Sequence, residues 1–120
     1  MSKRVLVVDD EAPIRELVTF RLETIGYEVD SAESGEQALE KIKANRPDLV
    51  VLDVLMPGID GLETCKRLKA DDPDIKVVML SAHGGQKDQE EGIAAGADIY
   101  LSKPFRAGVL LSEIESLLSS

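Results

Sequence analysis

The sequence predicts an α/β domain in which a parallel five-stranded sheet carries helices on both faces. Two observations predict it. Five short apolar runs of strand type alternate with five segments of helical spacing along 120 residues, the order that βαβ crossovers produce. Two of the runs also end in acid: Arg4-Val5-Leu6-Val7-Val8 leads into Asp9-Asp10-Glu11, and Leu49-Val50-Val51-Leu52 leads into Asp53. In parallel strands of one sheet those ends share an edge, so Asp9, Asp10 and Asp53 converge in one pocket.

The first strand is Val5 to Val8. Ile14, Leu17, Val18, Leu22 and Ile25 then follow a 3.6-residue period, with Pro13 in the first turn and Gly26 as the stop, and predict the first helix. Val29 to Ala32 is the second strand. Ser34, three residues before Gln37, resembles a capping box and opens a helix that turns Ala38, Leu39 and Ile42 inward. Leu49 to Leu52 is the third strand. Asp60 and Glu63 repeat the capping pattern before a helix with Leu62, Cys65 and Leu68 inward. Ile75 to Leu80 is the fourth strand, and a weaker helix follows from about Gln86 to Ala95, stopping at Gly96. Ile99 to Leu101 is the fifth strand. The last helix, about Ala107 to Leu118, carries an apolar stripe of Leu110, Leu111, Ile114, Leu117 and Leu118.

No linker, repeat or low-complexity tract interrupts this order, and residues 1–120 read as one domain. The composition, 43% hydrophobic and 31% charged, is that of a soluble globular protein. No apolar run approaches the roughly 20 residues that span a bilayer. The start lacks the pattern of a secretory signal, and Cys65, the single cysteine, has no partner for an internal disulfide, so a cytoplasmic setting is expected. Net charge is −9, and removing the three pocket aspartates still leaves −6. Such general acidity argues against direct binding to nucleic acid or to an anionic membrane.

Ligands of open α/β sheets bind outside the carboxyl ends of the strands. Asp9 and Asp10 follow the first strand, Asp53 the third, Ser81 and Ala82 the fourth, and Lys103 and Pro104 the fifth. Packed carboxylates repel, so the cluster calls for a cation or a shifted pKa. Mg²⁺ suits carboxylate and carbonyl oxygens: Asp10, Asp53 and the backbone carbonyl of Leu55 can bind it directly, with Asp9 direct or through water, and Mn²⁺ can substitute. The same set is arranged for phosphoryl transfer. Asp53 can attack phosphorus to form an acyl phosphate, while the cation, Lys103, the Ser81 hydroxyl and the Ala82 backbone N–H stabilise the equatorial oxygens.

On these residues the sequence resembles the receiver domain of bacterial two-component response regulators, of the chemotaxis-regulator type. The resemblance runs through Val7-Val8-Asp9-Asp10-Glu11, Leu52-Asp53 to Asp60-Gly61, Leu80-Ser81-Ala82 and Gly96-Ala97-Asp98-Ile99-Tyr100-Leu101-Ser102-Lys103-Pro104-Phe105. It implies a flavodoxin-like (βα)5 fold of strand order 2-1-3-4-5, and phosphorelay signal transduction rather than independent enzymatic activity. It also implies Asp53 as acceptor from a sensor histidine kinase or histidine phosphotransfer protein, Mg²⁺ held by Asp9, Asp10 and Asp53, and a cis Lys103-Pro104 peptide. Ser81 and Tyr100 match the family's switch pair, which alters the surface of the fourth helix, fifth strand and fifth helix. Asp98-Ile99-Tyr100 departs from the Asp-Asp-Tyr pattern of the winged-helix transcription-factor subfamily.

Taken singly, each residue has a plainer reading. Asp9 and Asp10 would cap the first helix, Lys103 would be a solvated charge, Ser81 a turn residue, Tyr100 a half-buried packing residue and Cys65 part of the core. Leu55, two residues beyond Asp53, and His83, two beyond Ser81, are placed to border the path of a water attacking the acyl phosphate. Leu55 would hinder that water and His83 would orient it; otherwise His83 is an ordinary loop residue. Two other functions compete. A Mg²⁺-dependent aspartyl phosphohydrolase of the haloacid dehalogenase type would need a second acid where Leu55 stands, and a cap domain. A flavin- or nucleotide-binding module would need a Gly- or hydroxyl-rich turn after the first strand, where Asp9-Asp10-Glu11-Ala12-Pro13 offers repulsion instead.

Overall fold

The computed structural model describes residues 3–82 and 85–119. Strands β1 (Arg4–Val8), β2 (Glu28–Ala32), β3 (Leu49–Asp53), β4 (Lys76–Ser81) and β5 (Ile99–Ser102) alternate with helices α1 (Ala12–Thr24), α2 (Gly35–Ala44), α3 (Gly61–Asp71), α4 (Gln86–Ala94) and α5 (Ala107–Leu118). The strands form one parallel sheet of order β2-β1-β3-β4-β5.

β3 is buried at every position because both of its faces are covered, which is why it reads as a continuous apolar run rather than an alternating one. Side chains alternate between the two faces. Leu6, Val8, Val50, Leu52, Val77 and Met79 meet Ala38, Cys65 and Leu68 of α2 and α3. Val5, Val7, Leu49, Val51, Val78 and Leu80 meet Val18, Leu22, Leu110 and Ile114 of α1 and α5. Among the described residues, no helix is long and apolar enough to cross a membrane.

Several local details differ from the sequence expectation. Leu17 and Ile25 belong to the expected stripe of α1 yet are 49% and 51% exposed. Leu17 sits about 100° around the helix from Val18, off the inward row, and Ile25 lies past the last helical residue as its C-cap. Ile75 is buried but precedes β4: its N–H donates to the Asp72 carbonyl and closes the turn after α3. β3 and β4 each run one residue further than expected, so that Asp53 and Ser81 end strands instead of following them.

The caps are one-sided. The Ser34 hydroxyl accepts the Gln37 N–H at 3.1 Å, but the Gln37 side chain accepts from the N–H of Glu33 rather than from that of Ser34. The Asp60 carboxylate accepts the Glu63 N–H at 2.9 Å, while the Glu63 carboxylate turns to Arg67. Asp98 is held by two elements: its carboxylate accepts the Val77 N–H at 2.8 Å and pairs with Lys69 at 3.0 Å. That contact sets where the chain enters β5 beside β4. Asp60→Ala removes the acceptor at the start of α3 and is expected to cost about 1 kcal/mol, read as a lower urea midpoint with an unchanged m value.

Candidate functional site

Strand register brings the acid pocket together. Val8 is level with Leu52, so Asp9, the next residue, stands level with Asp53. Ser81 is level with Ser102, and the Lys103 N–H donates to the Ser81 carbonyl at 2.6 Å, which carries the Lys103 side chain to the same edge. A slip of one residue in any of these pairings would send a functional side chain to the opposite face.

Asp9 and Asp53 are 2% and 3% exposed. The Lys103 ammonium lies between them, 3.3 Å from Asp9 Oδ2 and 3.4 Å from Asp53 Oδ1, with Glu11 Oε1 at 3.9 Å. Asp9 is held on every side. Its N–H donates to the Ala32 carbonyl, its Oδ1 accepts the Glu11 N–H at 2.9 Å, and its carbonyl accepts the Arg15 guanidinium at 2.7 Å. The plainer expectation for Asp9 and Asp10 is not met: Glu11 is the N-cap of α1 and no side chain caps the helix, while one Asp9 carboxylate oxygen holds the Glu11 N–H and the other faces Lys103.

Carboxylate oxygens of Asp9, Asp10, Glu11 and Asp53 all lie within 4.8 Å of one another. Four carboxylates against one ammonium leave three negative charges. A hard dication takes its oxygen ligands at about 2.1–2.5 Å, a span this cluster accommodates. The donor set fits a divalent cation.

Burial, reinforced by the charge of Asp9, pushes the Asp53 carboxyl up from 3.8 to about 6, against the opposing pull of Lys103 and a hydrogen bond from the Leu55 N–H. Burial also pushes the Lys103 ammonium down, but the carboxylates of Asp53 and Asp9 outweigh it and leave Lys103 above its usual value. Asp53 is therefore largely ionised at neutral pH, at a cost to the fold.

The backbone around Asp53 is fixed from behind. The Val54 N–H donates to the Leu80 carbonyl, and the Gly61 N–H donates to the Val54 carbonyl at 2.8 Å. A Cβ on Gly61 would collide with the Asp53 carbonyl oxygen and lie 2.7 Å from Val54 Cα, so only glycine lets α3 start this close to the strand end.

The other sequence-marked residues fall into place around this centre. Ser81 is fully buried. With Val54, Leu55, Asp60, Leu62, Asp88, Glu91 and Tyr100 it lines a cavity of about 170 Å³ under α4. Ala82 is exposed beside it. The Leu55 side chain is half exposed and its N–H reaches Asp53. The Lys103-Pro104 peptide is cis. Cys65 is buried in the core, where burial pushes its thiol up to about 11. His83 lies outside the described residues.

Residues 5–115 match the family model of the response regulator receiver domain. The chain is a receiver domain of bacterial two-component signalling. It is 44% identical over 118 residues to the response regulator MprA of Mycobacterium ulcerans (strain Agy99), which covers 98% of this chain and 51% of that protein. Among solved structures, the BeF3-activated DrrB receiver domain superposes with a TM-score of 0.94 at 31% identity, covering all of both chains. The response regulator TrrA of Thermotoga maritima, in complex with Mg(2+)-BeF, superposes with a TM-score of 0.87 at 41% identity, covering 96% of this chain and 98% of that one. The receiver spans about half the length of the curated relatives it matches.

Receiver domains act as phosphoacceptor modules rather than independent enzymes, which displaces the phosphohydrolase and flavin-module readings. The cluster of Asp9, Asp10, Glu11 and Asp53 is this receiver's phosphoacceptor site, compatible with Mg²⁺-dependent phosphorylation chemistry near the α4-β5-α5 face. Sequence reasoning did not assign Glu11 and Arg15 to the site. Glu11 was visible in the acid run. Arg15 was not, because its contact with Asp9 exists only once α1 folds back over the end of β1.

The raised value at Asp53 has a consequence for stability. The folded chain holds this proton more tightly than the unfolded chain, so the contribution is full below 3.8 and is lost as pH rises through about 6. Without a divalent cation, Asp53→Asn is expected to be more stable than the parent at neutral pH by about 1 kcal/mol, the gain shrinking toward about pH 4. Urea midpoints across that range measure it, and a gain independent of pH would rule out Asp53 titration as its source.

Proposed function

We propose that Asp53 accepts a phosphoryl group from a phosphohistidine, on a sensor histidine kinase or a histidine phosphotransfer protein. The observation that carries this reading is the Lys103 ammonium set between the buried carboxylates of Asp9 and Asp53, at 3.3 and 3.4 Å. A carboxylate oxygen of Asp53 attacks phosphorus and forms the P–O bond. The P–N bond to the donor breaks, and the leaving imidazole keeps its electron pair. Lys103 balances the charge added to the pocket, while the Ser81 hydroxyl and Ala82 N–H donate to the phosphoryl oxygens.

Asp9, Asp10 and Asp53, with the Leu55 backbone carbonyl, would hold Mg²⁺ or Mn²⁺, whose positive charge offsets the carboxylates and the phosphoryl oxygens. The Mg(2+)-BeF complex of TrrA supports that choice of cation. Ser81 and Tyr100 form the switch: the hydroxyl turns toward the phosphoryl group, the ring follows, and the α4-β5-α5 surface changes. We read residues 1–120 as one receiver unit working in the cytoplasm, in keeping with its acidity and single buried cysteine.

Incubation with acetyl phosphate and Mg²⁺, followed by intact-mass measurement, is expected to add one phosphoryl group to the parent and none to Asp53→Asn. Absence of an Asp53-dependent adduct would overturn the reading. A second measurement addresses the lifetime of the acyl phosphate: Leu55→Asn is expected to shorten it by admitting water, and His83→Ala to lengthen it. Unchanged lifetimes in both variants would remove that role.

A further inference from the structure

α4 rests on the sheet in an unusual way. Gly92 is its only buried residue, and glycine in a helix interior is disfavoured by its backbone freedom. The reason lies across the interface. A Cβ on Gly92 would stand 2.5 Å from Cδ2 and 2.9 Å from Cε2 of Tyr100, and 3.1 Å from the Met79 sulfur. Met79 is fully buried and level with Tyr100 on the neighbouring strand, so its sulfur and the Tyr100 ring both border the space beneath Gly92. The ring edge therefore fills the volume that any larger residue at position 92 would occupy. The same ring lines the 170 Å³ cavity that reaches Ser81.

We propose that Gly92 is a positioning residue for Tyr100: the missing side chain on the inner face of α4 is the seat that lets the ring lie against the helix and follow events at Ser81. The proposal rests on the reading of Ser81 and Tyr100 as a switch pair. A methyl group at position 92 evicts the ring from this seat and uncouples it from the acid pocket, which Gly92 does not touch.

Two measurements test it. Helix propensity alone makes alanine better than glycine, so Gly92→Ala is expected to raise the urea midpoint in a Tyr100→Ala background. With Tyr100 in place the same substitution is expected to lower it, a sign reversal that only contact between the two residues produces. A shift in the same direction in both backgrounds would overturn the proposal. The chain has two tyrosines, so fluorotyrosine labelling gives two ¹⁹F resonances, with Tyr27 as the reference on the opposite face of the sheet. Beryllofluoride with Mg²⁺ is expected to move the Tyr100 resonance in the parent. In Gly92→Ala that resonance should be displaced beforehand and its response lost, while the bound-beryllofluoride signals appear at the same concentrations as in the parent. An unaltered Tyr100 resonance and response in Gly92→Ala would also overturn it. Failure of the parent to bind beryllofluoride would instead remove the phosphoacceptor reading, and the urea comparison would still decide whether Gly92 seats the ring.

Discussion

Two buried carboxylates facing one another across the sheet edge are the constraint on which the rest of the structure depends. At an effective dielectric of about 20, like charges 4 Å apart repel by about 4 kcal/mol, which is comparable to a large share of a small domain's whole stability. Lys103 lies within 3.4 Å of both groups and relieves much of that cost, but a single ammonium cannot neutralise the set. The fold therefore keeps a negative pocket that is poised to gain positive charge. Sheet, caps and close-packed glycine all serve to keep it from relaxing.

What resists relaxation is the fully covered centre of the sheet. Asp9 and Asp53 extend β1 and β3, whose apolar residues are locked between two helical layers. Moving either carboxylate means moving a strand with no exposed face. The hydrogen bond from Gly61 to Val54 and the bond from Arg15 to the Asp9 carbonyl close the remaining freedom at the strand ends. Burial at the covered strand end, with the charge of Asp9 held beside it by the packing, keeps the Asp53 carboxyl well above its ordinary value.

The parts legible in the sequence are those set by local pattern. Strand runs, helical periods and the acids that end the strands place Asp9, Asp53, Ser81 and Lys103 on one edge, because parallel topology leaves them nowhere else to go. Which of several available partners each side chain takes was not legible. Leu17 fits a helical period, but only the angular width of the covered face decides whether it is buried. Gln37 and Glu63 match a capping pattern, yet their side chains found Glu33 and Arg67 as partners instead. Gly61 stood out only as the end of the motif run from Leu52 to Gly61, and Gly92 carried no local signal at all. What each does depends on a backbone or ring that arrives from elsewhere in the chain.

The alternation of side chains along the strands also divides the labour of the sheet. Asp9, Asp53 and Lys103 continue the rows of Val5 and Val7, of Leu49 and Val51, and of Ile99 and Leu101, which face α1 and α5. Ser81 and Tyr100 continue the opposite rows, those of Val77 and Met79 on the side of α3 and α4. The sheet is thus a partition, with the charged groups on one face and Ser81 and Tyr100 on the other. The two faces meet at the rim, where Asp53 ends β3 and Ser81 ends β4. A switch of the proposed kind would pass around that rim and leave the apolar layers that hold the domain folded undisturbed.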